Sequence, residues 1–183
     1  MKDTIVQTGA PVLRQVATLV PTKDFGSTRL HAYITKMSRA LAKEEFGVAI
    51  AAPQIGVPLR LFVVAGRVFI ADEANKNGLE TPKDMVFINP EISRLSRKKK
   101  EMSEGCLSVR GKYGTVIRHE RASVKAQDEH GRTFTYHGTG LVAHIFQHEC
   151  DHLDGILYTD KTEKLENESK RKELREQHPA GGK

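Results

Sequence analysis

The sequence predicts an α+β fold: antiparallel β-sheets surrounding a central helix that carries paired histidines, with a C-terminal helix beyond it. Three observations predict it. Residues from about 85 to 136 read as strands separated by turn signals. Helical spacing of apolar residues recurs in two places, 27–46 and 139–153. The length, 183 residues at 38% hydrophobic content, supplies about one domain with a single core.

Along the chain, Gly9-Ala10-Pro11 marks a turn after an N-terminal arm. In 27–46, Leu30, Ile34, Met37 and Leu41 follow at spacings of four, three and four, one apolar stripe with Ser27 or Thr28 as N-cap and Gly47 as stop. The segment 47–56 (GVAIAAPQIG) is small and apolar, and Pro53 and Pro58 bar a helix, so extended or irregular chain is expected. Strands follow at 60–65 and 85–92, separated by a surface excursion holding Asn75, Asn77, Gly78 and Pro82. The basic run 97–100 reads as a solvated loop or strand edge. Strands at 116–127 and 132–136 flank Asp128-Glu129-His130-Gly131, a hairpin signal. After the helix at 139–153, residues 161–177 are helix-forming but nearly all polar, with six cations against five glutamates. The end, 178–183, is expected to be a disordered tail.

Lys and Arg number 29 against 23 Asp and Glu, a net +6 that favours a polyanionic neighbour yet is common among soluble enzymes. No apolar run approaches the ~18 residues of a membrane span, and the opening MKDTIVQTGAPVLRQ lacks a signal peptide's pattern. A cytoplasmic protein without membrane contact is expected, its two cysteines, Cys106 and Cys150, kept as thiols.

The string 147–152 (QHECDH) contains H-E-x-x-H. On a helix, positions four apart differ by about 40°, so His148 and His152 project side by side and can share one metal, with Glu149 close enough to reach a bound water. Leu141 and Ile145 fall on the same face, which places the imidazoles in apolar surroundings where they need a partner. The bland alternative is two core histidines that satisfy their hydrogen bonds locally. His144 precedes His148 by four, but three ligands at i, i+4 and i+8 span about 12 Å and cannot converge on one tetrahedral centre; it reads as a flanking residue. A third ligand is needed if one position stays open for water. Cys150 points about 160–200° away around the helix. Cys106 fits if the fold brings it over; taken alone, it reads as a buried inert thiol.

Three segments together resemble the peptide deformylase family, bacterial type. The family is marked by G-φ-G-φ-A-A-x-Q, then E-G-C-L-S, then Q-H-E-x-D-H; this chain has GVAIAAPQ over 47–54, EGCLS over 104–108 and QHECDH over 147–152. The likeness runs from about Gly9 to Tyr158 and departs at Ala49, where the family has its second glycine. It implies a single catalytic domain over 1–160, followed by a charged helix and tail over 161–183. It implies Cys106, His148 and His152 as ligands of one divalent metal, Fe2+ in the cell with Zn2+, Ni2+ or Co2+ as substitutes, and Glu149 as the acid–base residue. Gln54 and the Leu107 backbone N–H are implied as donors to the developing oxyanion. The substrate implied is the formyl-methionine of nascent peptides, laid as a strand between Val48 and Gly105, its methionine among Val48, Leu141 and Ile145. Release of formate follows. The charged C-terminal segment is similar to that of bacterial members in which a terminal helix docks on the ribosome near the exit tunnel; no DNA partner is expected. Two other readings remain at this stage: a metallopeptidase cutting internal bonds, and a ribosome- or nucleic-acid-binding module with a purely structural metal.

Overall fold

The computed structural model describes residues 5–70 and 83–167. Helix α1 spans Thr28–Ala42, and the Ser27 side chain accepts a hydrogen bond from the Leu30 N–H, so the predicted cap is in place. Its stripe of Leu30, Ile34, Met37 and Leu41 is buried. The helix ends five residues before the expected stop, with Lys43 as C-cap. Gly47 serves packing instead: a Cβ there would stand 2.9 Å from Glu44 Cβ and 3.0 Å from the Leu41 side chain.

Strand β1 (Ala49–Ala51) leads into a 3-10 turn over Ala52–Ile55, and β2 follows at Leu61–Val64. A second 3-10 turn, Gly66–Ile70, buries Val68 and Phe69, so the start of the expected surface excursion is core; 71–82 lies outside the described residues. Strands β3 (Met85–Leu95) and β4 (Lys99–Cys106) follow, and the basic run bridges them as exposed turn and strand edge.

The expected single strand over 116–127 is two. Strand β5 (Val109–His119) stops before Glu120, and β6 (Arg121–Gln127) belongs to the other sheet. The break is held by tertiary hydrogen bonds: the Glu120 N–H donates to Lys98 O, and its carbonyl accepts from the Gly140 N–H. No glycine or proline marks it. The hairpin of β6 with β7 (Thr133–Thr139) is as expected, and helix α2 occupies Gly140–Leu153. Beyond it, Leu165–Asn167 is not helical but a short strand, β8, because Leu165, Glu166 and Asn167 complete the free edge of β5 opposite Gly114, Tyr113 and Lys112. The remainder of the anticipated helix and tail, 168–183, lies outside the described residues.

Two antiparallel sheets result, one in the order β1-β2-β3-β6-β7 and one in the order β4-β5-β8. Helix α2 lies against the first. Phe62 stacks on Phe87 with ring centres 4.7 Å apart, and Phe146 of α2 meets Phe87 at 5.1 Å and Tyr136 at 5.7 Å. Close passage of β7 over α2 requires Gly138, where a Cβ would lie 2.8 Å from Val142 and 2.9 Å from Phe146. The second sheet has a smaller core of Val109, Val116, Leu157 and Tyr158, with Cys106 packed on its edge.

Candidate metal centre and substrate cleft

The centre draws on three remote segments. From α2 come His148 and His152, ring centres 4.9 Å apart, the consequence of a four-residue spacing. Cys106 arrives as the last residue of β4, paired with Val109 across the two-residue turn Leu107-Ser108. That turn aims the Ser108 N–H at the sulfur, 3.4 Å away. From the 3-10 turn after β1 comes Gln54, 2% exposed, whose side-chain oxygen accepts from the Ala51 N–H at 2.8 Å while its Nε2 faces Ser108 Oγ at 3.2 Å and Cys106 Sγ at 3.5 Å. The N-terminal arm stitches these segments together. The Val6 N–H donates to Gln54 O, the Thr8 N–H to Ser108 O, and Gln7 Nε2 to Leu107 O.

One ligand atom each from Cys106, His148 and His152 lie within 4.8 Å of one another, and Cys106 Sγ is 3.2 Å from His152 Nε2. Tetrahedral bonds of ~2.0–2.3 Å place neighbouring donors about 3.5 Å apart, so the three fit one ion. The electrostatics agree. Burial lowers the affinity of His148 for a proton, but hydrogen bonds to Cys106 and Glu104 outweigh it and hold its pKa well above the ordinary value. His152 is pushed well below, by burial first and then by the His148 charge. The pocket thus favours one positive charge between thiol and carboxylate.

Behind His148 lies a network to which the sequence reading gives no role. Glu104, with a side chain 1% exposed, accepts from His148 Nδ1 at 2.7 Å and pairs with His144 Nε2 at 2.6 Å and Arg118 Nε at 2.7 Å. Burial alone would raise its pKa, but His144, His148 and Arg118 together hold it far below the usual carboxylate range. Arg118 also reaches Asp151 Oδ2 at 2.5 Å, and Lys161 caps the same carboxylate at 2.6 Å. The ligand-bearing turn of α2 is thereby tied to β5. Gln147 ties it again: its amide donates to His119 O and Ala143 O, and its oxygen accepts from the His119 N–H. Tyr158 stacks on His148 with ring centres 6.3 Å apart. The signal for Glu104 lay in its position two residues before Cys106; Arg118 carried none.

Glu149 is 3% exposed and its Oε2 has no hydrogen-bond partner. Burial raises its pKa to about 7, with His148 lowering and Glu104 raising it by smaller amounts. Cys150 lies 5% exposed in the main core with its thiol pushed up to about 12 by burial, remote from the three donors as expected. His144 is held by Glu104 and is not a member of the donor group, also as expected.

A cleft of about 680 Å³ opens onto the centre, with Val48, Ala49 and Gln54 on one wall and Gly105, Cys106 and Leu107 on the other. At Gly105 a Cβ would stand 2.7 Å from the Tyr113 ring, so a side chain there is excluded. Ile145 lies in the cleft floor at 3% exposure. Leu141 does not sit in the apolar interior expected of it: one turn further towards the helix start, it is 50% exposed at the lip.

A carboxylic acid buried without a partner beside three convergent donors makes chemical sense if it exchanges a proton with a reacting group; fold and donor set together are those of a metal-dependent hydrolase. The chain belongs to the polypeptide deformylase family, whose model matches residues 2–168. It is 36% identical over 179 residues to the peptide deformylase of Azotobacter vinelandii, covering 98% of each chain. It is 36% identical over 169 residues to the chloroplastic peptide deformylase 1A of Solanum lycopersicum, covering 86% of this chain but only 58% of that relative. Among solved structures it resembles the class I type b peptide deformylase of Acinetobacter baumannii bound to Met-Ala-Ser, with a TM-score of 0.75, 31% identity, and 86% and 96% of the two chains covered. No helix among the described residues is long and apolar enough to cross a membrane.

Proposed function

We propose that this chain removes the formyl group from the N-terminal formyl-methionine of newly synthesised proteins in the cytoplasm, releasing formate and a free methionine amine. The observation that carries the reading is the convergence of Cys106, His148 and His152 at the inner end of the cleft with Glu149 beside them. Cys106, His148 and His152 hold the divalent ion, Fe2+ in the cell with Zn2+, Ni2+ or Co2+ as substitutes, since thiolate plus imidazole suits all of these. When bound, the ion supplies Lewis acidity that brings the pKa of a water towards ~7.

The remaining work falls to the chain's own groups. Glu149 takes the proton of the attacking water and later delivers it to the departing amine. Glu104 fixes the orientation of His148 by holding Nδ1, which leaves Nε2 for the ion. Gln54 Nε2 and the Leu107 N–H are the donors for the charge that develops on the formyl oxygen. Gln54 is fixed for this by its own oxygen, which accepts from the Ala51 N–H. The peptide lies as an added strand between the Val48 and Gly105 walls, bonding through its backbone, so that many sequences are accepted. Its methionine side chain enters between Val48 and Ile145 with Leu141 as the outer rim. The 161–183 segment, similar to the C-terminal segments of bacterial members, is assigned to docking near the ribosomal exit tunnel.

The test offers formyl-Met-Ala-Ser and unformylated casein to anaerobically purified protein whose metal has been measured. Formate release with casein intact supports the reading; casein cleavage without formate sinks it. Gln54→Glu should keep the bond to Ala51 but remove one donor and add a charge facing Cys106. Formate release should fall about 10²-fold, with the metal retained. Ala49 lines the cleft wall where relatives of the motif carry glycine. Ala49→Gly should lower KM severalfold without changing kcat, and should cost roughly 0.5–1 kcal/mol in urea unfolding because glycine loosens the unfolded chain.

A further inference from the structure

A second groove, of about 740 Å³, opens at the far end of the molecule, between the β3–β4 turn and the meeting ends of β6 and β7. Arg94, Arg97, Lys98, Arg121 and His137 line it, and among the described residues no acidic one does. The pairing register explains the concentration. Arg94 stands opposite Ser123, and Ser123 opposite His137, so these three form one row across three strands on one sheet face. Arg121, two residues from Ser123, shares that face, while Ala122 and Val124, on either side of Ser123, turn into the core. Glu120 neutralises one of these cations, pairing with Lys98 at 2.9 Å, while Glu91 stands opposite Lys125 further along the sheet. Among the described residues, Arg94, Arg97 and Arg121 have no ion-pair partner. Ser123 Oγ lies 2.8 Å from His137 Nδ1, leaving the outer ring nitrogen free to face the groove.

We propose that this groove binds the phosphodiester backbone of RNA. Three unpaired guanidiniums around a concavity match the planar, bidentate geometry of phosphate oxygens. Among the described residues, Leu95 is the single large apolar side chain in the lining and the His137 imidazole, held by Ser123, is the one ring, so the groove offers neither a wedge for lipid nor a broad platform for stacked bases. Backbone contact without sequence preference follows. The choice of RNA rests on the proposed action on newly made proteins, which leave an RNA machine. The groove is separate from the substrate cleft: Lys99 and Cys106 mark opposite ends of β4, about 23 Å apart at ~3.3 Å per residue.

The experiment titrates the full-length, metal-loaded protein into a fluorescein-labelled RNA hairpin and follows anisotropy against KCl. Three phosphate contacts, each contributing a slope of ~0.7–0.9, should lower the affinity about 20- to 40-fold between roughly 50 and 200 mM salt. The triple variant Arg94→Gln/Arg97→Gln/Arg121→Gln should bind at least ~10-fold more weakly and lose most of that salt dependence. Its formate release should be unchanged, which separates this proposal from the activity itself. If the triple variant fails to fold, Arg97→Gln in the exposed turn should still lower the slope by about one. Absence of RNA binding by the parent, an unchanged slope in the variants, or tighter binding to a DNA hairpin or to phosphatidylglycerol vesicles would overturn the proposal.

Discussion

Glu149→Ala protein is expected to hold its metal as the parent does and to release formate ~10²- to 10⁴-fold more slowly. The geometry separates the two properties. Glu149 is outside the Cys106, His148 and His152 donor group, so its removal leaves all three donors in place. Its Oε2 is buried without a partner, which means that truncation breaks no hydrogen bond there and the fold is spared. The pH profile should carry its signature. Burial raises the Glu149 pKa to about 7, and the group acts as a base only when ionised. Activity should therefore fall as pH drops through 7 or, because a bound cation favours the carboxylate, somewhat below it. Glu149→Gln should abolish that acid limb along with the rate. Metal content by elemental analysis and formate release decide the matter: a variant that stays active, or one that loses its metal, contradicts the assigned role.

Glu104→Ala should have the largest effect on stability, about 3–5 kcal/mol in urea unfolding. Its removal leaves the Arg118 guanidinium, 4% exposed, with only Asp151, and strips both His144 and His148 of their carboxylate. Metal affinity should fall with it by about 10- to 100-fold, since an unanchored imidazole is a poorer ligand. Glu104→Gln, which keeps the shape and loses the charge, should fall between parent and alanine on both measures. The same carboxylate sets an acid limit on the fold. Its pKa lies far below the unfolded value of 4.5, so its contribution is complete above that value and is lost as pH falls below it. Metal-free protein should accordingly lose stability on acidification from about pH 4.5 downwards, and Glu104→Gln should flatten that slope. An unaltered slope would show that other groups govern acid unfolding.

Local patterns made part of this molecule readable and tertiary contacts hid the rest. The period of Leu30, Ile34, Met37 and Leu41 located α1, and the four-residue offset of His148 and His152 located one side of the metal centre, because both follow from helix geometry alone. The hairpin of β6 and β7 announced itself through its turn. The division at Glu120 did not, since the strands on either side of it are held apart by bonds to Lys98 and Gly140 rather than by a breaker residue. Nor did β8, whose polar residues pair by their backbone and show no apolar alternation. Cys106 was a candidate because Cys150 points away from the histidines, and the family resemblance assigned it; Arg118, thirty-three positions from Asp151, was marked by nothing in the sequence. Leu141 was placed on the correct helix face but at the wrong depth, because angle around a helix does not report distance along it from the sheet that covers it.

The stitching of the N-terminal arm has a consequence for how the chain comes into being. Val6 and Thr8 bind Gln54 and Ser108, which in turn surround a sulfur that must find two imidazoles near residue 150. The arm is thus a clasp for parts that lie far along the chain, and what it fastens stays incomplete until α2 supplies the two imidazoles. A growing polypeptide of this sequence passes through most of its length without an assembled donor group, which arrives in a single late event instead of accumulating as the chain lengthens.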